Sequence, residues 1–325
     1  MSTMKAIRIH TPGPEENMIL EDVAIPSPKP GEALVKLEAS GVNFIDIYFR
    51  TGLYPAPEKP FLIGMEGAGV VTALGEGVTG LQVGDRVAFA SQRGSYAQYI
   101  SVPAWMLVPV PAGLDLEMAA CLMLQGMTVH YLTHSTFPLA AGHTCLVHAA
   151  SGGVGLLLVQ VAKMLGATVI GTVSTDAKEQ LARQAGADHV LRYDGFSAQV
   201  KELTGGKGVD VVYDSVGKDT FDGSLDSLKP RGMMVTFGNA SGPVPPVAPL
   251  ALTQRGSLFL TRPKLADYTL TRDELLLRAG DVMRWKLDNR IQVHIDRRYS
   301  LAQAAQAHQD LAGRKTSGKL IISTT

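Results

Sequence analysis

Residues Thr144 to Val173, TCLVHAASGGVGLLLVQVAKMLGATVIGTV, read as strand, glycine turn, helix and second strand in one unbroken unit. Cys145 to Ala149 is a short apolar run, and Ala150-x-Gly152-x-x-Gly155 fills the slots of a Gly-x-Gly-x-x-Gly fingerprint with alanine in the first. Missing side chains let the backbone turn sharply and approach a pyrophosphate, and Gly155 lets a helix starting near Val154 lie close to the strand. Helix-start N–H groups and the positive end of the dipole attract phosphate. Gly166 stands where a helix C-cap is wanted, and Ala167 to Val173 is an apolar, β-branched run. The unit predicts a dinucleotide-binding βαβ start.

The end of the second strand selects the dinucleotide, because a carboxylate there would bind a ribose 2′-hydroxyl and a basic group a 2′-phosphate. The chain reads Gly171-Thr172-Val173-Ser174-Thr175-Asp176-Ala177-Lys178, with no carboxylate directly at the strand end. Asp176 comes late and, with Glu179, reads as the cap of the next helix. Lys178 is the candidate phosphate contact, which favours NADPH over NADH.

A chain of 325 residues suggests more than one domain. With 30 basic and 30 acidic side chains, the formal charge is zero, which argues against a nucleic-acid surface. MSTMKAIRIH has no apolar signal core, and Val154 to Val173 is too polar and glycine-rich for a membrane span, so a cytoplasmic protein is expected. The two cysteines, Cys121 and Cys145, lie in apolar runs and read as core residues.

Residues 1 to about 110 give strand-like signals at Ala6–His10, Leu34–Glu38, Gly69–Leu74, Arg86–Ala90 and Tyr96–Val102. A helical stretch from about 115 to 136 leads into the fingerprint strand. Helices and strands then alternate through TDAKEQLARQAGA, DHVLRY, SAQVKELTG, VDVVYDSV, FDGSLDSLKPR and MMVTFG, which calls for a parallel sheet with crossover helices. A proline-rich loop precedes a strand candidate at Gly256–Thr261. The remainder predicts a helix at Arg272–Leu287, a strand at Ile291–Ile295, a helix at Leu301–Ala312 and a strand at Lys319–Ser323.

These features together resemble the zinc-independent NADPH:quinone oxidoreductases, zeta-crystallin-like members of the medium-chain dehydrogenase/reductase superfamily. The likeness runs through ASGVNFID (39–46), GLYP (52–55), GMEGAGV (64–70), GDRV (84–87), HAASGGVG (148–155), YDSVG (213–217), FGN (237–239) and GSLFLTRP (256–263). It implies an α/β protein in which a doubly wound Rossmann parallel sheet accompanies a β-rich GroES-like catalytic domain. The domains implied are 1–125 (GroES-like catalytic), 126–265 (Rossmann, NADPH-binding) and 266–325 (a C-terminal segment returning to the catalytic domain). A cofactor cleft between the domains and a homodimer joined through the Gly256–Thr261 edge strand follow from the same resemblance.

Zinc alcohol dehydrogenases carry a ligand cysteine where this chain has Asn43 and a ligand histidine where it has Met65, so no metal is expected. His130 and His134 stand at i, i+4 but lack the glutamate of a metalloprotease helix. Ser215, in Tyr-Asp-Ser-Val-Gly, lacks the first glycine of a hydrolase elbow. The resemblance places Asn43, Tyr48 and Tyr54 around the substrate, with the phenols able to steady a developing oxyanion. It places Ser151, Gly152, Gly153 and Val154 at the pyrophosphate and Thr128 near the nicotinamide. Lys178, Tyr193 and Arg314 match residues that hold the 2′-phosphate, and Gly217, Asn239, Phe259 and Arg262 match further cofactor positions. Gln125 stands where close bacterial relatives often carry lysine, so its role is open. The implied reaction is reduction of a quinone, with α,β-unsaturated carbonyls as the alternative acceptor. A crystallin-like structural or RNA-binding role is the alternative of another class.

Overall fold

The computed structural model describes residues 2–56 and 58–325. Strands β1 (Thr3–Ile9), β2 (Met18–Ala24) and β3 (Glu32–Val42) are followed by helix α1 (Phe44–Thr51). Next come β4 (Phe61–Leu62), β5 (Glu66–Leu74), β6 (Arg86–Ala90), β7 (Tyr99–Pro103), β8 (Val108–Pro109) and α2 (Leu116–Tyr131). The middle of the chain alternates: β9 (Thr144–Val147), α3 (Gly153–Met164), β10 (Thr168–Thr172), α4 (Asp176–Gln184), β11 (His189–Leu191), α5 (Phe196–Leu203) and β12 (Val209–Asp214). It continues with α6 (Phe221–Ser227), β13 (Leu228–Thr236), α7 (Leu250–Gln254) and β14 (Phe259–Thr261). The last elements are α8 (Arg272–Leu287), β15 (Ile295–Ser300), α9 (Ala304–Ala312) and β16 (Lys319–Ser323).

Two compact units result. The first takes the chain through Met127 together with Tyr268–Asn289 and Val293–Thr325. Its seven-stranded sheet is mostly antiparallel, with β15-β16-β3-β5-β6-β8 in order and β7 paired to β3. The C-terminal strand lies antiparallel beside β3, Leu320 opposite Val42, which seals an apolar cluster of Ile7, Val42, Tyr96, Tyr299 and Ile322.

The second unit comprises Thr128–Asp267 and Arg290–Gln292. Its six strands are all parallel, in the order β11-β10-β9-β12-β13-β14. This is the doubly wound order with the first strand of the fingerprint, β9, at its switch point beside β12. Leu146, Ile170, Val212 and Met234 from four adjacent strands fill one core. Parallel strands buried on both faces read as the continuous apolar runs seen in the sequence.

Several expected boundaries shift. The strand expected at Ile291–Ile295 lies instead at Ile295–Ser300, where Arg297 and Arg298 are exposed on the edge strand of the sheet and mask its alternation. The helix expected through FDGSLDSLKPR stops at Ser227, and β13 begins at once with Leu228, because Pro230 cannot continue a helix. The edge strand expected from Gly256 covers only Phe259–Thr261, because Gly256 (φ 106°) and Ser257 (φ 56°) form a left-handed turn before it. Asp176 does not cap its helix; the Thr175 side chain does, accepting from the Lys178 N–H.

Candidate active site and dinucleotide-binding turn

At the turn after β9, Ala149 takes a left-handed conformation (φ 50°), and the chain reverses into α3 with Gly152 as N-cap. The Gly152 N–H donates to the Ala149 carbonyl at 2.8 Å, and the Ala150 N–H to the Thr172 carbonyl at 3.0 Å. The first helical bond, from Leu156 N–H to Gly152 C=O, leaves the N–H groups of Gly153, Val154 and Gly155 outside the helical ladder. A Cβ on Gly155 would collide with the Ala149 carbonyl and lie 2.9 Å from the Ala150 Cα. Only a glycine permits this approach of helix to strand. The alanine in the first slot is accommodated from β10, because a Cβ on Gly171 would sit 2.7 Å from the Ala150 methyl. The backbone groups that a pyrophosphate requires are therefore present at a helix N-terminus.

The other residues expected at a cofactor are placed as follows. Ser151 and Thr128 are buried, and Gly217, at φ 91°, closes a loop that a Cβ would obstruct by meeting the Gly242 carbonyl at 2.7 Å. The Tyr193 hydroxyl accepts the Ala149 N–H at 3.1 Å, so this ring braces the turn directly. Lys178 lies in the first turn of α4. Arg192 forms ion pairs with Asp176 and Glu179 beside it. Arg262 donates to the Thr236 hydroxyl at 3.1 Å and the Gly238 carbonyl at 2.9 Å, tying down the loop that carries Asn239. Phe259 is exposed on the edge strand, and Arg314 belongs to the other unit, just beyond α9 with φ 55°.

The three residues expected near substrate lie on or beside α1. Asn43 is its N-cap, Tyr48 lies within it and is buried, and Gly52 (φ 82°) ends it so that the chain turns back to Tyr54. The two phenol rings meet edge to face with centroids 5.2 Å apart, and the Tyr54 N–H donates to the Tyr48 carbonyl at 3.0 Å.

Asn43 is different. Its Oδ1 accepts from Lys319 Nζ at 3.2 Å and from Gln125 Nε2 at 3.0 Å, while its Nδ2 donates to Glu66 Oε1 at 2.7 Å. Lys319 is also ion-paired with Glu66, whose second oxygen accepts the Leu124 N–H at 2.6 Å. Side chains of both ions are essentially inaccessible, at 1% and 0% exposure. Each charge is thus compensated inside the protein, as burial demands. The amide of Asn43 is engaged within this network rather than presented outward. Lys319 and Glu66 carried no site expectation, and the open role of Gln125 resolves as a donor to Asn43.

A second buried chain holds the same helix. Asp46 Oδ2 accepts the Asn43 N–H at 2.8 Å and the Tyr96 hydroxyl at 3.1 Å, and Tyr96 Oη lies 3.1 Å from His308 Nε2. Asp46 Oδ1 has no hydrogen-bond partner. Burial above all, with Glu66 nearby, pushes the Asp46 carboxyl up to about 7, and burial brings His308 down to about 3. A carboxyl with a folded value above its unfolded one keeps its proton longer in the fold, so its contribution to stability declines as pH climbs from about 4 to about 7. The Asp46→Asn variant is expected to lack this slope in Tm-versus-pH curves, and a variant slope matching that of the native protein would show that Asp46 is not its source.

His130 and His134, the pair at helical spacing, stack with centroids 4.5 Å apart and 16° between planes. Among the described residues, no group of three or more His, Cys, Asp or Glu side chains is arranged to hold a metal ion. Both cysteines are buried, and burial pushes each thiol up to about 12. No described helix is long and apolar enough to cross a membrane.

Comparison with known proteins agrees with these two units. Residues 29–112 match the alcohol dehydrogenase GroES-like domain family, and residues 153–271 match the zinc-binding dehydrogenase family. A quinone oxidoreductase of Pseudomonas aeruginosa is 46% identical over 321 residues, 98% of this chain and 99% of that protein. A 2-haloacrylate reductase of Burkholderia sp. is 43% identical, covering 97% of each chain. A mycobacterial protein whose structure was solved with NADPH superimposes with a TM-score of 0.96 at 48% identity, covering 98% of this chain and 100% of that one. With a parallel doubly wound sheet, a GroES-like unit and relatives of this similarity along nearly its entire length, the chain belongs to the quinone oxidoreductase family of the medium-chain dehydrogenase/reductase superfamily.

Proposed function

We propose that this protein is a zinc-independent, NADPH-dependent reductase of quinones. The observation that carries the reading is the glycine turn at Ala149–Gly155, which keeps backbone N–H groups at a helix start in a chain related throughout to quinone oxidoreductases. When bound, NADPH supplies a hydride from its nicotinamide ring. Ser151, Gly152, Gly153 and Val154 hold the pyrophosphate, Thr128 adjoins the nicotinamide, and Lys178 and Tyr193 meet the 2′-phosphate. Tyr48 and Tyr54 form an aromatic wall whose hydroxyls steady an acceptor oxygen as charge develops. Asn43 anchors the start of their helix through Lys319 and Glu66. An ammonium already hydrogen-bonded to Asn43 Oδ1, together with methionine at 65, fits a reaction that does not use zinc at this place.

Without metal polarisation, the acceptor must be electron-poor by itself, which suits quinones and disfavours unactivated ketones and, in the reverse direction, ordinary alcohols. Activated enones form the second substrate class, supported by the similarity to a 2-haloacrylate reductase. The same reading includes a cytoplasmic homodimer paired along β14, whose Phe259 is exposed at the sheet edge.

Fluorescence titration tests the cofactor assignment. NADPH is expected to bind at least about tenfold more tightly than NADH, and Lys178→Ala to remove most of that difference, since a charge-assisted contact contributes about 1.5–3 kcal/mol. Equal affinity for both coenzymes in the native protein would overturn it.

A further inference from the structure

His148, directly after β9, has no part in the reading above and yet is one of the most buried polar side chains in the second unit, at 1% exposure. Its Nδ1 lies 2.8 Å from the Thr172 hydroxyl at the end of β10, and its Nε2 lies 2.9 Å from the Ser224 hydroxyl on α6. Ser224 Oγ in turn lies 3.1 Å from Asp214 Oδ2 at the end of β12. The other Asp214 oxygen accepts the N–H groups of Val216 at 2.7 Å and Gly217 at 3.0 Å, and the Thr220 hydroxyl donates to Oδ2 at 2.8 Å.

The chain Thr172–His148–Ser224–Asp214 thus crosses β10, β9 and β12, three neighbouring strands, at their carboxyl ends. From these ends spring the loops on which an open parallel sheet binds its ligand. Thr172 also accepts the Ala150 N–H through its carbonyl, and the His148 N–H donates to the Tyr213 carbonyl at 3.0 Å, so backbone and side chain tie the same strands together. The His148 ring packs edge-on to Phe196 with centroids 4.8 Å apart and lies stacked beside Tyr193, the residue that braces Ala149.

A neutral ring suits these partners, because one nitrogen donates, the other accepts, and each hydroxyl can take either part, the Ser224 hydroxyl lying also 2.7 Å from the Thr220 carbonyl. Burial holds the imidazole below its usual basicity, with Asp214 acting the other way.

We propose that His148 is a positioning residue for NADPH, a neutral imidazole that sets the glycine turn and the Val216–Gly217 loop in register with each other. It touches no reacting atom. The inference rests on reading the glycine turn as the NADPH site, and the experiment separates the two.

NADPH dissociation constants are measured by fluorescence for the native protein, His148→Phe, His148→Gln, Ser224→Ala and the His148→Phe/Ser224→Ala pair, with the Tm of each protein without coenzyme. His148→Phe keeps a flat aromatic ring and loses both hydrogen bonds; the expected result is a Kd about tenfold higher with kcat at saturating NADPH within about twofold. His148→Gln, able to bond on one side, should recover part of that loss. Ser224→Ala should weaken binding about threefold, and the double variant should bind no worse than about twofold below His148→Phe alone, because both substitutions break one chain. A folded His148→Phe with native Kd overturns the inference, as do effects that multiply in the double variant. If His148→Phe does not fold, a folded Ser224→Ala with native Kd overturns it equally. A native protein that fails to bind NADPH overturns the cofactor reading and this inference together.

Discussion

Lys319→Met is expected to destabilise the fold by about 3–5 kcal/mol, the usual consequence of leaving one partner of a buried ion pair uncompensated. Glu66 would remain at 0% exposure with the Asn43 amide and the Leu124 N–H as its donors and no cation. The lysine also closes the C-terminal strand onto β3, since Lys319 begins β16 and Leu320 pairs with Val42, next to Asn43. Neutralising the partner as well should restore much of the loss, so Glu66→Gln/Lys319→Met is expected to lie above Lys319→Met in urea midpoint, at an unchanged m-value. A Lys319→Met protein that unfolds at the native midpoint would show that the pair contributes little to holding α1.

Gly155→Ala is expected to reduce NADPH affinity by about a hundredfold or more, a shift of about 3 kcal/mol. The added methyl has no direction in which to relax, because its neighbours are the backbone atoms of Ala149 and Ala150 rather than a movable side chain. The turn must open, and the N–H groups at the start of α3 move from the positions that a pyrophosphate needs. Gly152→Ala supplies the contrast. Its Cβ would meet only the Ala149 carbonyl, at 3.2 Å, so affinity should fall by no more than about tenfold. Dissociation constants of the two variants check this, and a Gly155→Ala protein with native affinity would remove the turn from the cofactor site.

Much of the architecture could be read before any coordinates, and the reasons differ from element to element. Helix α8 spans Arg272–Leu287 as expected, because Thr271 and Glu274 make a reciprocal cap that marks its start. The parallel strands announce themselves by short apolar runs such as Val211–Tyr213, buried throughout. Strand β15 did not, since its exposed arginines make an edge strand look like a loop. Helix α1 carried no helical expectation either. It is short, and what holds it comes from far along the chain: Lys319 and His308 lie more than 200 residues from Asn43 and Tyr96.

The candidate site divides along the same line. The glycine turn is local, so its spacing exposes it. The departure at Ala150 becomes intelligible only with Gly171 beside it across two strands. A lysine in SGKLIIS gives no sign of being the most deeply buried cation of the first unit. Burial of a charge is a property of its partner, and Glu66 lies 253 residues earlier. For the same reason, the resemblance could point to Asn43 without revealing that Lys319, Gln125 and Glu66 engage its amide.

The central claim is that this fold passes reducing equivalents from NADPH to a conjugated acceptor with no help from zinc. Its most direct test is the rate of NADPH oxidation with a simple quinone, followed by absorbance in protein exhaustively dialysed against a metal chelator. The expected result is rapid, NADPH-preferring turnover that neither chelation nor added zinc changes. Absence of quinone-dependent oxidation, or activity that chelation abolishes and zinc restores, would contradict it.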